Sequence, residues 1–250
     1  MLEVLAPEKR RCILFAIKKR PMDLKSVSKD LNIPPPVALK HLKKLEESKL
    51  IEKNGKTYRL TYLGDLTSTA LENFVNFVEF IKKDIEYWAS HDLSCLPENF
   101  KLRLPEIGKY ELIKSYGEEV LRHFKIFSEI YKNSKKVRAL SAVMFPPHPR
   151  MFAEIATRSD VEVIITNKML KNLEEYYQEE LEKYIKAGGK IFICDDVKIT
   201  IITTERALCM GFFFRDGVYD TESGLLSYDK SAINWGFEVF EYFKAKSKKF

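Results

Sequence analysis

Glutamine is nearly missing from this chain of 250 residues, where Gln178 stands alone against 42 Lys plus Arg and 36 Asp plus Glu. That balance suggests a heat-adapted source. Cysteine is scarce and scattered: Cys12, Cys95, Cys194 and Cys209 show no C-x-x-C spacing, which argues against a zinc ribbon and against a disulfide framework. No apolar run reaches the ~18 residues of a membrane span, and the start MLEVLAPEKRR lacks the apolar core of a secretory signal, so a cytoplasmic protein without a membrane partner is expected. Glycine is sparse, with no glycine-rich phosphate loop and no G-x-S-x-G elbow, so nothing favours nucleotide hydrolysis or esterase chemistry. His91 and Cys95 have a helical i, i+4 spacing, but two ligands do not make a metal site. Asp195-Asp196 and Asp216-Gly217 read as turns. No catalytic residue, metal or cofactor is expected.

What is present is a localised positive charge. Residues 1–64 hold 15 Lys plus Arg against 7 Asp plus Glu, a net of +8, while the other 186 residues hold 27 against 29. A basic domain joined to a slightly acidic one suits polyphosphate binding by one half. The basic part is organised around residues 23–60. Asp23 is placed to cap a short helix with Leu24, Val27 and Leu31 on one face. After the turn Leu31-Asn32-Ile33, the prolines Pro34, Pro35 and Pro36 suit the first positions of a second helix. There Ala38, Leu42 and Leu45 recur at i, i+4, i+7 as a buried stripe, and Leu39, Lys40, Lys43 and Lys44 turn outward. Asn54-Gly55 then marks a hairpin whose turn residues both tolerate positive φ.

This order, with KHLKKLEESKLIEK and a hairpin ending YRLTYLG, resembles the winged-helix domain of archaeal and bacterial transcription regulators. The resemblance implies double-stranded DNA as partner, with Lys40 and Lys43 near the major groove, Lys44 beside them, Lys53, Lys56 and Arg59 on phosphates, and methyl contacts from Pro36 or Leu39. Where such families place glycine after the second helix, this chain has Ser48-Lys49. Between Pro34 and Lys49 there is no Arg, Asn or Gln, so the usual bidentate donors to guanine and adenine are missing. Specificity then falls to lysines, methyl contacts and DNA shape.

The expected fold is α+β. An N-terminal winged helix-turn-helix (1–64) is joined by a long helix and an irregular connection (65–108) to a C-terminal α/β domain (109–250) with a mixed, partly parallel sheet. A first helix is expected from Pro7 to Lys19. Residues 65–90 read as one helix with a broad apolar band, and Phe74, Phe77, Val78, Ile81 and Ile85 on it suit a homodimer contact. The segment from His91 to Gly108 looks irregular, and a helix is expected from Tyr116 to Asn133. Strands at 137–141, 161–166 and 190–194 alternate with helices at 150–157 and 168–187, which argues a parallel arrangement. Strands at 198–203 and 208–214 read as antiparallel additions, and a helix at 229–248 closes the chain. An effector, if the domain takes one, belongs beyond the strand ends near Ser141, His148, Thr166, Asn167, Tyr219 and Asp220.

WASHDLSCLPENF, FFFRDGVYD and SAINWGFEVFEYF, following a winged helix, look like the methanogenesis regulatory family of archaeal transcription factors. That implies a C-terminal sensing or regulatory domain and a DNA-binding regulator that is not an enzyme. The strand order also resembles half of a phospholipase D-type domain, whose chemistry needs a histidine nucleophile with a lysine two residues on. Asp196-Val197-Lys198 lacks that histidine, Thr203 stands where the later aspartate belongs, and His148 lacks the lysine. The alternatives are a winged helix that binds another protein, which would show no salt-dependent DNA affinity, and an orphan phosphodiesterase.

Overall fold

The computed structural model describes residues 2–116, 119 and 121–250. It divides into two compact units, Met1–Glu79 and Phe80–Phe250. The first holds α1 (Leu2–Leu5), α2 (Glu8–Lys19), β1 (Met22–Asp23), α3 (Leu24–Asp30), α4 (Pro35–Glu47), β2 (Ile51–Asn54), β3 (Thr57–Leu60) and most of α5 (Tyr62–Lys83). Asp23 caps α3 as expected, accepting from the Ser26 amide at 2.7 Å. The C-termini of α3 and α4 close with the same bond. Ile33 N–H donates to Ser28 O and Leu50 N–H to Leu45 O, each at 3.0 Å, with Asn32 and Lys49 between them at φ 50° and 59°. Asparagine tolerates that left-handed state, whereas Lys49, standing where glycine would be free, costs about 1 kcal/mol.

The hairpin is a three-stranded sheet in the order β1-β3-β2, so a strand at Met22–Asp23 was missed. Its turn also differs from expectation. Asn54 pairs with Thr57, the turn residues are Gly55-Lys56, and only Gly55 takes positive φ. A two-residue turn with glycine first needs only that one residue in the left-handed region. The core is Ile13, Leu14, Val27, Ala38, Leu42, Leu45, Leu50 and Ile51, all essentially excluded from solvent.

The expected helix 65–90 is two helices. α5 stops at Lys83, Asp84 leaves helical geometry at φ −138° and ψ 56°, and α6 (Ile85–Ser90) follows. Asp84 accepts from Tyr110 Oη at 2.8 Å, a long-range bond that periodicity does not reveal. The segment after His91 is not an irregular connection either: α7 (Glu98–Leu102) and a 3-10 turn (Leu104–Ile107) bury Leu96, Phe100, Leu104 and Ile107 in the core of the second unit.

From there the chain runs β4 (Tyr110–Lys114), α8 (Arg122–Lys132), β5 (Lys136–Ser141), α9 (His148–Ala156), β6 (Asp160–Ile165), α10 (Asn167–Tyr176), α11 (Gln178–Lys186), β7 (Lys190–Ile193), β8 (Ile199–Thr204), β9 (Leu208–Phe212), β10 (Ser223–Ser227), α12 (Lys230–Ala245) and β11 (Lys248–Lys249). The helix expected from Tyr116 thus starts at Arg122, and its positions 117, 118 and 120 lie outside the described residues. One eight-stranded mixed sheet results, ordered β11-β7-β6-β5-β8-β9-β10-β4. β5, β6 and β7 are parallel neighbours, and β8 and β9 are antiparallel additions, both as expected. β4, β10 and β11 went unread, and the helix expected at 168–187 breaks at Tyr177.

Alternation along β5 serves two layers: Val137 and Ala139 face α8, α9, α10 and α11, and Leu140 faces α12. Trp235, Val239 and Phe240 of α12 are buried on that second face. Gly236 is required there, since a Cβ would come within 2.2 Å of Thr203 Oγ1. Among the described residues no helix is long and apolar enough to cross a membrane.

Candidate nucleic-acid interface and a cavity beside the sheet

The α4 stripe Ala38, Leu42 and Leu45 is buried, so geometry turns Lys40, Lys43 and Lys44 outward, with Leu39 half-buried between them. Pro35 and Pro36 occupy the first turn, where no amide is lost to the helix. Pro36, Leu39, Lys40, Lys43 and Lys44 line one shallow surface groove, and Arg10, His41 and Glu47 complete it. Arg10 and His41 escaped the sequence reading. Arg10 reaches the groove only because α2 packs on α4, and its Nε donates to His41 Nδ1 at 3.3 Å. Burial, followed by the charges of Arg10, Lys9 and Lys40, lowers the His41 pKa, so the ring is a neutral acceptor amid cations.

The hairpin cations do not form one row. Pairing sets Lys53 opposite Tyr58 and Arg59 opposite Glu52, on alternate faces of the ribbon. Arg59 Nε donates to Glu52 at 2.8 Å, and Lys44 pairs with Glu47 at 3.1 Å. Lys40, Lys43, Lys53 and Lys56 are exposed and make no ion pair among the described residues.

The six residues expected around an effector separate into three groups. Thr166 caps α10 by accepting from the Met169 amide at 3.2 Å, and Asn167 is tied to Asp195 through its amide at 2.8 Å and its side chain at 2.5 Å. These are capping and loop bonds. Asp220 lies in a buried cluster: His91 Nε2 is 3.2 Å from its carboxylate, the Glu222 and Ser223 amides donate to it at 2.8 and 3.1 Å, and Ser223 Oγ donates as well. Burial alone would raise the Asp220 pKa, but the bonds from His91, Ser223 and Glu222 outweigh it and hold the carboxyl below its usual value. Tyr219, half-buried with its hydroxyl against Gly211, has its phenol pushed up to about 12 by desolvation. His91 thus serves this cluster; among the described residues no group of three or more His, Cys, Asp or Glu stands where it could hold a metal ion.

Ser141 and His148 form the third group. With Ala139, Val163, Ile165, Ile191 and Ile202 of the sheet and residues of α9, α10 and α11, they line an apolar cavity of about 70 Å3. Ser141 Oγ donates to Val143 O at 2.7 Å and meets Thr200 Oγ1 at 2.9 Å. His148 Nε2 is buried with no hydrogen-bond partner among the described residues, as are both ring nitrogens of His123. Burial lowers both histidines to about 4, with Asp220 partly opposing it at His123.

Acid should therefore destabilise the second unit in a defined window. Between the unfolded value of 6.5 and the folded value of about 4, the unfolded chain binds more protons at these two histidines. Stability then falls as pH drops through that range and loses nothing further from them below it. The loss across the whole range is about 3 kcal/mol per histidine. Asp220, with its lowered pKa, contributes its own loss only below about 3.8. Trp88 and Trp235, the two tryptophans, both lie in this unit, so fluorescence-monitored urea unfolding reads it directly. We expect the midpoint to drop from pH 7 to pH 4.5, and His148→Leu to remove part of the drop; equal midpoints at the two pH values would contradict the burial of neutral rings.

Residues 4–79 match the family model described as the N-terminal domain of methanogenesis regulatory protein FilR1, and residues 120–246 match the one described as its middle domain. Methanogenesis regulatory protein FilR1 of Methanothrix harundinacea (strain 6Ac) is 28% identical over 244 residues, covering 94% of this chain and 54% of that protein. The chain thus spans about half the length of the curated relative it matches. Among solved structures, TrmBL2, an archaeal chromatin protein described as showing a novel mode of DNA binding, is similar at a TM-score of 0.47 and 13% identity, over 100% of this chain and 98% of its own. Nuc, a phospholipase D family member from Salmonella typhimurium, is similar at 0.41 and 11% identity, over 57% of this chain and 99% of its own. With both of its units matched in order, the chain belongs to the family of methanogenesis regulatory protein FilR1.

Proposed function

We propose that this chain is a DNA-binding transcription regulator whose first unit is a winged helix and whose second unit senses a small effector. The observation that carries the DNA-binding part is the groove on α4, where Lys40 and Lys43 stand exposed beside Arg10 in a region of net +8. α4 is the recognition helix in this reading, set into the major groove, and Lys53 and Lys56 take phosphates at the hairpin. Arg59, engaged by Glu52 on the other face, is a weaker contact than its position in the sequence suggested.

The active species in this reading is a homodimer. Of the 22 residues of α5 only Gly64 and Ser68 are buried. Phe74 and Val78 are 63% and 41% exposed, and Ile85 on α6 is 55% exposed. Phe77 is half-buried, and Ile81 packs partly against the sheet core of its own chain. Phe74 and Val78, one turn apart, are therefore the centre of the proposed contact.

A two-fold protein reads a two-fold site. Selection of bound fragments from random duplex DNA should enrich an inverted repeat with half-sites about 10 base pairs apart, or a multiple of that. Enrichment of no sequence, together with retention of a protein partner, would instead make the first unit a protein-binding module.

A further inference from the structure

The cavity beside the parallel strands has walls that select a kind of ligand. Among the described residues no lysine or arginine lines it, and the one carboxylate that does, Glu180, is half-exposed. An ion placed inside would lose its water without gaining a buried counter-charge. Ser141 Oγ is already bonded, and Tyr184 Oη donates to Val161 O at 3.0 Å and lies 3.1 Å from Lys190 O. His148 Nε2 is the exception, buried among Phe145 and Phe152 rings at 5.2 and 5.5 Å with no partner among the described residues. A buried polar atom in a native fold ordinarily has a partner. A trapped water needs two to four polar contacts, and these walls offer it one.

We propose that this cavity binds a small, uncharged, largely apolar molecule bearing one hydroxyl-like group, with its apolar body on Ala139, Ile165 and Met169 and its polar group meeting His148 Nε2 once the imidazole turns toward the cavity, since the nitrogen is closed off as the ring stands. A hydroxyl both donates and accepts, so it satisfies either tautomer of the neutral imidazole. The volume of about 70 Å3 is roughly half the ~150 Å3 that holds benzene, which admits a body of about four heavy atoms or the end of a longer chain leaving past Glu180. The proposal rests on the sensing role above only for its regulatory consequence.

The test uses the full chain labelled at its methionine methyl groups. Of the 6 methionines, Met144 and Met169 line the cavity and the others serve as controls. 1-Butanol should shift the Met144 and Met169 methyl resonances saturably, while butyrate and butylammonium at equal concentration should not. Ala139→Leu, which fills the cavity, should abolish the shift, and His148→Leu should weaken butanol about tenfold with the control methyl groups unmoved. If Ala139→Leu does not fold, the His148→Leu comparison decides. No saturable shift, equal shifts at all six methyl groups, or full retention in both variants overturns the proposal. DNA affinity is measured in parallel with and without butanol: a saturable shift that leaves it unchanged supports the ligand class and contradicts the sensing role, and loss of DNA binding alone touches only the DNA reading.

Discussion

Replacing Lys40, Lys43, Lys53 and Lys56 together with alanine is expected to weaken duplex DNA binding by about three to four orders of magnitude at 0.1 M salt. Each lysine that neutralises backbone charge, at a phosphate or between the phosphate rows in the groove, releases about 0.9 counterion, so four lost cations flatten the slope of log K against log salt by about 3.6, and the same figure gives the loss in log affinity on the 1 M scale. These four lysines are chosen because each is exposed and free of an ion pair among the described residues. Arg59→Ala is the internal control: its guanidinium already holds Glu52, so it should change the slope by much less. A quadruple variant with an unchanged slope would falsify the placement of DNA on this face. Lys40 and Lys43 lie on the helix, so their loss should also blur preference among sequences, whereas loss of Lys53 and Lys56 should weaken all sequences alike.

Phe74→Glu combined with Val78→Glu is expected to convert a dimer into a folded monomer and to lower affinity for an inverted repeat by about 10²- to 10⁴-fold, the avidity that linked half-sites supply. Both side chains are exposed in the single chain, so charge there costs the monomer little, while two copies face to face would bury four carboxylates. Phe77, half-buried, would confound subunit separation with loss of packing. Sedimentation velocity at micromolar concentration reads the result. A wild-type chain that sediments as a monomer and protects a single half-site would remove the dimer from the account.

Much of the architecture was legible because local chemistry declares it. Asp23 as a cap, the three prolines opening α4, the Ala38-Leu42-Leu45 stripe and the parallel run of β5, β6 and β7 all follow from periodicity and capping rules that act within a few residues. What escaped depends on distant partners. β4 forms a strand because it pairs with β10, more than a hundred residues later, and neither has a strong alternation of its own. The break of the long helix at Asp84 is stabilised by Tyr110, and Arg10 joins the α4 groove through helix packing. Among the candidate site residues, hydrogen-bond capacity misled in a consistent way. Thr166 and Asn167 sit at a strand end as expected, yet their polar atoms are consumed by capping α10 and holding Asp195. His148 mattered for the opposite reason, since only the tertiary structure leaves its Nε2 buried without a partner among the described residues.

Whether the basic first unit binds duplex DNA through its phosphates is read from a fluorescence-anisotropy titration of this chain against a random-sequence duplex. Repeated from about 50 to 300 mM salt, it should give a straight line of log K against log salt with a slope of about −3.6 or steeper, four or more contacts at −0.9 each. A slope near zero, or no binding at the lowest salt, would contradict the account.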